Sequence, residues 1–427
     1  MEIEMSEKRT IGLINDSFPP LIDGVSNAVL NYAREIKAHY GEPVVVTPKF
    51  PGADDSAYDF PVLRYNSIDI TKQFNVVAGI PFTHAQARKL CGYNVDLLHC
   101  HCPAASIVLS RELRNVLNAP LIMTYHSKYD IDIRKAVRGK RIQDRLISLV
   151  LENISACDEV WTVSRGAGEH LRSLGFEGDY VVMENGVDIP HERVSEKEIA
   201  KAVSKYDIPE GIPVFIFTGR MMWYKGIRII ADALAGLKNR GMDFRMIFVG
   251  AGTDYEDIQY YIWKCGIRDK CIFTGSIRSR DRLRALNCRA NLQLFPSTFD
   301  TNGLVVREAA ACSLPSILIE GSCAAEGVTD GCNGYLIEEN AEALAAKIEA
   351  ICGNLAAARQ VGENAGNEIY FSWEDSVRKA TERYEVVIDK YRRGEYPKRN
   401  TPADIVLDEL GRRMSLSVDD IINNYNI

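Results

Sequence analysis

The stretch Leu292-Gln293-Leu294-Phe295-Pro296-Ser297-Thr298-Phe299-Asp300-Thr301-Asn302-Gly303-Leu304-Val305-Val306-Arg307-Glu308 sets an apolar run, a turn and a helix start in immediate succession. Residues 292–295 are strand-like, Pro296-Ser297 ends the run, and the helical apolar pattern begins only at Gly303. Strand, loop and helix in that order form the repeating unit of a parallel sheet wrapped by helices. Gly303 lets a ligand come close to the backbone, and the amides of Leu304 and Val305 have no acceptor inside the helix, which leaves a partial positive charge there. That end is a seat for phosphate. Asp300 lies in the loop before the seat and Glu308 roughly a turn and a half beyond it, so two carboxylates flank the phosphate position and fit the hydroxyls of a nucleotide sugar. On this stretch alone, a capped surface helix with two solvated acids reads equally well.

A second cluster weighs against that blander reading. Gly219-Arg220-Met221-Met222-Trp223-Tyr224-Lys225-Gly226 follows the apolar run 214–218, so Arg220 and Lys225 fall just past the carboxyl end of a strand. Open α/β sheets bind ligands at that edge. An arginine fork and a lysine ammonium on a diphosphate neutralise a leaving group, each charged hydrogen bond contributing roughly 1.5 to 3 kcal/mol.

The same alternation runs through the chain. In the first half the strand candidates are 10–14, 43–47, 96–101, 121–126, 159–164 and 180–184; in the second they are 214–218, 245–249, 271–274, 292–295, 316–319 and 334–337. Each half can build its own sheet, and 427 residues exceed one ordinary core, so two domains are expected, with the hinge near 189–192. The formal charge of -7 argues against a general nucleic-acid binder. Residues 1–10 lack the apolar core of a signal peptide, and no segment approaches about 18 uninterrupted apolar residues, which points to the cytoplasm. Eleven cysteines without CxxC spacing read as reduced, buried small hydrophobes. His99-Cys100-His101-Cys102 does not read as a metal site, because alternate strand residues point to opposite faces. Gly250-Ala251-Gly252 after a strand suggests a dinucleotide fold, but the third glycine of GxGxxG is replaced by Tyr255.

With His99-Cys100-His101, Asn185-Gly186-Val187-Asp188, Gly219-Arg220, Lys225-Gly226 and Asp300-x7-Glu308 in this order, the chain resembles the retaining glycosyltransferases of family 4 from about Ile11 to about Trp373. The resemblance implies an α/β GT-B architecture: two Rossmann-like, doubly wound parallel-sheet domains facing a central cleft. Residues 1–189 would form the acceptor-side domain and 190–370 the nucleotide-sugar domain. Helices in 371–391 would cross back onto the first, with 392–427 as an extension.

It also implies roles. Glu308 corresponds to the acid that holds the ribose and Asp300 to the acid that holds the transferred sugar, although the family usually has Glu where this chain has Asp300. Gly219, Gly303, Leu304 and Val305 would line the donor, and backbone groups near Ile277 would meet its base. Gly24, in the turn Asp23-Gly24-Val25, would face the distal phosphate; many members have Gly-Gly there. His126, at the end of 121–126, would position the sugar, with Arg220 and Lys225 taking the leaving charge and the configuration at the anomeric carbon retained. The implied donor is a nucleotide-diphosphate hexose, a UDP-hexose first, with no cofactor or metal. Asp130-Ile131-Asp132, formally a DxD, reads as a helix start.

The acceptor stays open between a diacylglycerol-like lipid and a soluble glycan or small molecule, and a non-catalytic nucleotide-sugar sensor is the reading from another class. Arg134, Lys135, Arg138, Lys140, Arg141 and Arg145, followed by Leu146, Ile147, Leu149, Val150 and Leu151, suit a peripheral helix on anionic lipid at the inner face of the membrane. The run 124–129 also resembles bacterial diacylglycerol glucosyltransferases.

Overall fold

The computed structural model describes residues 8–69, 71, 77–80, 89–90 and 92–397. Its chain divides into two compact units, one built from the part up to Glu184 together with the part from Trp373 on, the other spanning Asn185–Ser372. Each is a parallel sheet between helices.

In the first unit the strands are β1 (Arg9–Ile14), β2 (Gly41–Pro48), β3 (Val62–Tyr65), β6 (Leu97–Cys100), β7 (Leu121–Tyr125), β8 (Glu159–Thr162) and β9 (Val181–Val182), with a separate antiparallel pair, β4 (Ser67–Asp69) and β5 (Val77–Gly79). The main sheet runs β3-β2-β1-β6-β7-β8-β9. Its order reverses direction at β1, so the loops after β1 and β6 diverge there and leave a crevice at their carboxyl ends. β3 is a strand that alternation did not indicate: Val62-Leu63-Arg64-Tyr65 is short and carries Arg64, whose guanidinium is held by Asp55.

The helix Trp373–Arg392 belongs to this unit. Trp373, Val377, Ala380, Tyr384, Val387 and Ile388 pack in one core with Ile11, Tyr32, Ile122 and Trp161, and Arg9 forks onto Glu385. The expected extension 392–427 lies outside the described residues from 398 on.

The helix Gly24–His39 follows the loop after β1. Asp23 is its N-cap, accepting from the amides of Val25 and Ser26, while the Ser26 hydroxyl closes a capping box back onto the Asp23 amide. The aspartate that replaces a glycine is therefore a helix start of ordinary chemistry.

The second unit contains β10 (Val214–Thr218), β11 (Arg245–Val249), β12 (Cys271–Gly275), β13 (Leu292–Phe295), β14 (Ser316–Ile319) and β15 (Tyr335–Ile337), in the order β12-β11-β10-β13-β14-β15. Numbered within the unit this is 3-2-1-4-5-6, the dinucleotide-type arrangement, and its switch point lies between β10 and β13. The strands are continuous apolar runs because both faces are covered by helices. The charged run 192–205 contains a helix, Glu196–Val203, capped by Ser195 and Glu198, whose Ile199 packs with Cys288 and Cys312.

Gly250 and Gly252 have a packing role. A Cβ on Gly250 would lie 1.9 Å from the Gly219 carbonyl oxygen, and one on Gly252 2.3 Å from that of Met221. Two loops cross there at backbone contact, so glycine is needed without any dinucleotide.

Candidate functional site

Both loops at the second unit's switch point carry charge. After β10 the chain makes a short 3-10 turn, Trp223–Lys225, held by the Asp254 carboxylate accepting from the Trp223 amide at 2.9 Å. Gly226 closes the turn at φ +75 and leads into the helix Ile227–Asn239. After β13, Ser297 and Asp300 occupy the loop, and Gly303 at φ +65 starts the helix Leu304–Ala311. Gln293, fully buried in β13, donates to the Val305 carbonyl and accepts from the Ser316 hydroxyl, which fixes that helix start to the sheet.

These loops bring Lys225 and Asp300 together. The ammonium lies 2.5 Å from Asp300 Oδ1, and Asp300 Oδ2 accepts from the Ser297 hydroxyl at 2.6 Å. Lys225 is 8 % exposed at its side chain and Asp300 21 %. The ammonium also stands within 6 Å of the Tyr224, Phe295 and Phe299 rings. Burial pulls its pKa below the ordinary lysine range, with Asp300 opposing and the neighbouring Arg220 adding to the fall. Arg220 itself is exposed, 5.9 Å from the Tyr224 ring, and makes no carboxylate pair among the described residues. The aromatic cage was not anticipated, though Tyr224 beside Lys225 and Phe299 beside Asp300 were its signal.

Glu308 faces a different partner. Arg280, first residue of the helix Arg280–Arg289, donates from Nη1 to Glu308 Oε1 at 3.0 Å and reaches Asp188 Oδ2 with Nη2 at 3.1 Å. Burial raises the Glu308 carboxyl to about 7, aided by Asp188 and opposed by Arg280. Sequence reasoning missed Arg280, which sits in a polar run of arginines with nothing to single it out.

The remaining expected donor residues fall as follows. Gly219 follows β10 directly, and its amide donates to the Val249 carbonyl at 3.0 Å. A Cβ on Gly303 would meet Ala324 at 3.0 Å. Leu304 and Val305 are the first two helical residues, whose amides have no intrahelical acceptor. Ile277, in the loop after β12, is half-buried against the core around Leu283 and Leu286.

In the first unit, Gly24 opens its helix with no atom of the described residues within 4 Å of a would-be Cβ. His126 follows β7 directly, is buried, and lies with Nε2 3.0 Å from His101 Nδ1. His99, on the same face as His101, is held by the Tyr384 and Thr124 hydroxyls at 2.6 and 2.7 Å. Desolvation lowers His126 to about 3 and pushes His99 and His101 well down, so all three are neutral near pH 7. Cys100 points the other way, its thiol toward the Cys102 carbonyl. Asp130 and Asp132 lie in the first turn of the helix Tyr129–Ala136, where Asp130 pairs with His170 at 3.3 Å.

The basic segment forms the end of that helix and the start of another, Lys140–Ser155. Its apolar residues mostly serve the core: Ile147 is buried, and Val150 and Leu151 pack against the sheet. The exposed apolar residues are Ile142 at 57 % and Leu149 at 53 %, flanked by exposed Arg138, Lys140, Arg141 and Arg145. Among the described residues, no helix is long and apolar enough to cross a membrane.

Two family models cover most of the chain: Glycosyltransferase Family 4 matches residues 22–190, and Glycosyl transferases group 1 matches 198–368. The chain is 24 % identical to a GDP-mannose-dependent alpha-mannosyltransferase of Corynebacterium glutamicum, covering 79 % of this chain and 78 % of that protein. It is 23 % identical to the alpha-monoglucosyldiacylglycerol synthase of Acholeplasma laidlawii, covering 78 % and 85 %. Among solved structures it superposes on Anabaena Alr3699/HepE in complex with UDP-glucose with a TM-score of 0.69, 18 % identity, and coverage of 89 % of this chain and 100 % of that one.

Proposed function

The chain belongs to glycosyltransferase family 4, a family of transferase enzymes with the GT-B fold, and from that premise we propose that it moves a hexose from a UDP-sugar to a diacylglycerol-like acceptor with retention of anomeric configuration. The observation that carries the donor reading is the convergence of Lys225 and Asp300 at the switch point between β10 and β13. Arg220, exposed and with no carboxylate partner among the described residues, and Lys225 take the charge that develops on the diphosphate. Asp300 orients Lys225 and accepts from hydroxyls of the transferred sugar, and Glu308 accepts from those of the ribose. The amides of Leu304 and Val305 complete the phosphate seat, with Gly219 and Gly303 as the close backbone approaches and the Ile277 loop at the base.

In the reaction the bond from C1 of the sugar to the phosphate oxygen breaks, and the acceptor oxygen bonds to C1 on the same face. The acceptor's proton passes to an oxygen of the departing diphosphate. His126, neutral across the physiological range, is not a proton carrier. The purified protein incubated with UDP-, GDP- and ADP-hexoses is expected to raise its melting temperature with one of them and to release that diphosphate when diacylglycerol vesicles are added. Turnover on soluble glycans alone would remove the lipid acceptor; binding without turnover on any acceptor would make the protein a sensor.

The lipid reading is favoured by Ile142 and Leu149 standing exposed among arginines. Sedimentation with anionic vesicles is expected at low salt and not at high salt, and replacing Arg141 and Arg145 with Gln is expected to weaken it about 30-fold, at about 1 kcal/mol per charge. Equal binding to neutral vesicles would sink the electrostatic part of this picture.

A further inference from the structure

Arg280 stands at the first position of its helix, with Ser279 as the N-cap. A cation there opposes the helix macrodipole, so local helix preference does not account for it. Its contacts do. One guanidinium nitrogen meets Glu308 at 3.0 Å and the other meets Asp188 at 3.1 Å, so a single fork separates two carboxylates that would otherwise repel. Glu308 is 13 % exposed at its side chain, and the charged groups facing it are Arg280 and Asp188. Arg280 engages Oε1 alone, and no contact to Oε2 is made among the described residues.

We propose that Arg280 is the positioning residue of the donor site: it holds Glu308 as an aimed carboxylate, with Oε1 committed to the guanidinium and Oε2 left to accept from the vicinal hydroxyls of the nucleotide, while Asp188 shares the same cation. This rests on the reading of Glu308 as the ribose acid. An ionised carboxylate accepts from two hydroxyls, whereas its protonated form gives up acceptor capacity. The sign follows from the raised carboxyl: nucleotide affinity is full above about pH 7 and declines as the pH falls through it. Removing the cation raises the carboxyl further, so the decline begins at higher pH. Removing the Asp188 charge does the reverse.

The test is calorimetric binding of whichever of UDP, GDP or ADP stabilises the folded protein, followed from pH 6 to 9.5; the titration of the nucleotide's own phosphate is common to all variants and cancels. Arg280→Gln is expected to move the acid limb about one pH unit or more upward, weakening binding about five-fold or more at pH 7 and much less at pH 9.5. Arg280→Lys is expected to restore most of the limb, and Asp188→Asn to move it the opposite way. Equal weakening by Arg280→Gln at every pH, or an unmoved limb, overturns the proposal. If Arg280→Gln does not fold, Asp188→Asn decides: an unmoved limb overturns it. Glu308→Gln separates the two levels of the argument. If that variant binds nucleotide as the wild type does, the reading of Glu308 fails; if it binds poorly and the Arg280→Gln limb stays put, only the role of Arg280 fails.

Discussion

Lys225→Met is expected to lower kcat by about 100- to 1,000-fold while leaving the donor KM within a few-fold, because the ammonium is aimed at charge that develops as the diphosphate departs. Methionine keeps the apolar stem and is one atom shorter, so the aromatic cage of Tyr224, Phe295 and Phe299 stays mostly filled. What is lost is the charge. Asp300 is then left, among the described residues, with the Ser297 hydroxyl, and breaking one half of a buried pair costs about 3 kcal/mol, less here because Asp300 is 21 % exposed. The second change that isolates the catalytic part is Asp300→Asn on the same background. The double variant is expected to recover most of the lost stability, since no unpaired carboxylate remains, and none of the lost rate. Initial rates of diphosphate release and the midpoint of thermal unfolding, measured on both variants, decide this; a Lys225→Met enzyme with normal kcat would take Lys225 out of the chemistry.

Both sheets could be read from the sequence because their strands are continuous apolar runs: Val214–Thr218 and Arg245–Val249 are buried on both faces and carry no competing helical period. β3 escaped because a four-residue strand containing Arg64 has neither length nor pattern to distinguish it from a loop. In the site, the strand–loop–helix grammar was enough to put Lys225 and Asp300 at strand ends. Their pairing was not legible, since it joins residues 75 apart and depends on the switch point between β10 and β13. Arg280 was hidden for a related reason: its significance lies in Glu308 and Asp188, both distant in sequence, and its own neighbours are ordinary helix-surface residues. The Asp23 cap, by contrast, was written locally as Asp-x-x-Ser before an apolar helix and was there to be found. Interactions set by one segment's own chemistry can be read from the chain; those set by strand order appear only once the sheet is assembled.

Gly226→Ala is expected to be far more damaging than its size suggests, and Gly241→Ala supplies the control. Both glycines have positive φ, +75 and +85, so both substitutions carry a backbone strain of about 1 kcal/mol. Around Gly241 no atom of the described residues lies within 4 Å of the new Cβ, and the strain is the whole effect. At Gly226 the new Cβ would lie 1.9 Å from the Pro296 carbonyl oxygen and 2.7 Å from its carbon, which is backbone and cannot swing aside as a side chain would. One of the two loops has to move. If it is the loop after β13, Ser297 and Asp300 are drawn away from Lys225; if it is the turn Trp223–Lys225, the ammonium leaves Asp300. Overpacking of this kind adds about 1 to 3 kcal/mol to the strain. The unfolding midpoint of the second unit should therefore fall by roughly 6 to 12 °C for Gly226→Ala, against roughly 2 to 4 °C for Gly241→Ala. Only the first should also depress kcat. Calorimetry and initial rates on the two variants check both parts: equal thermal losses would mean that the contact with Pro296 carries no energy, and an unchanged rate in a destabilised Gly226→Ala enzyme would mean that the two loops need not meet for transfer.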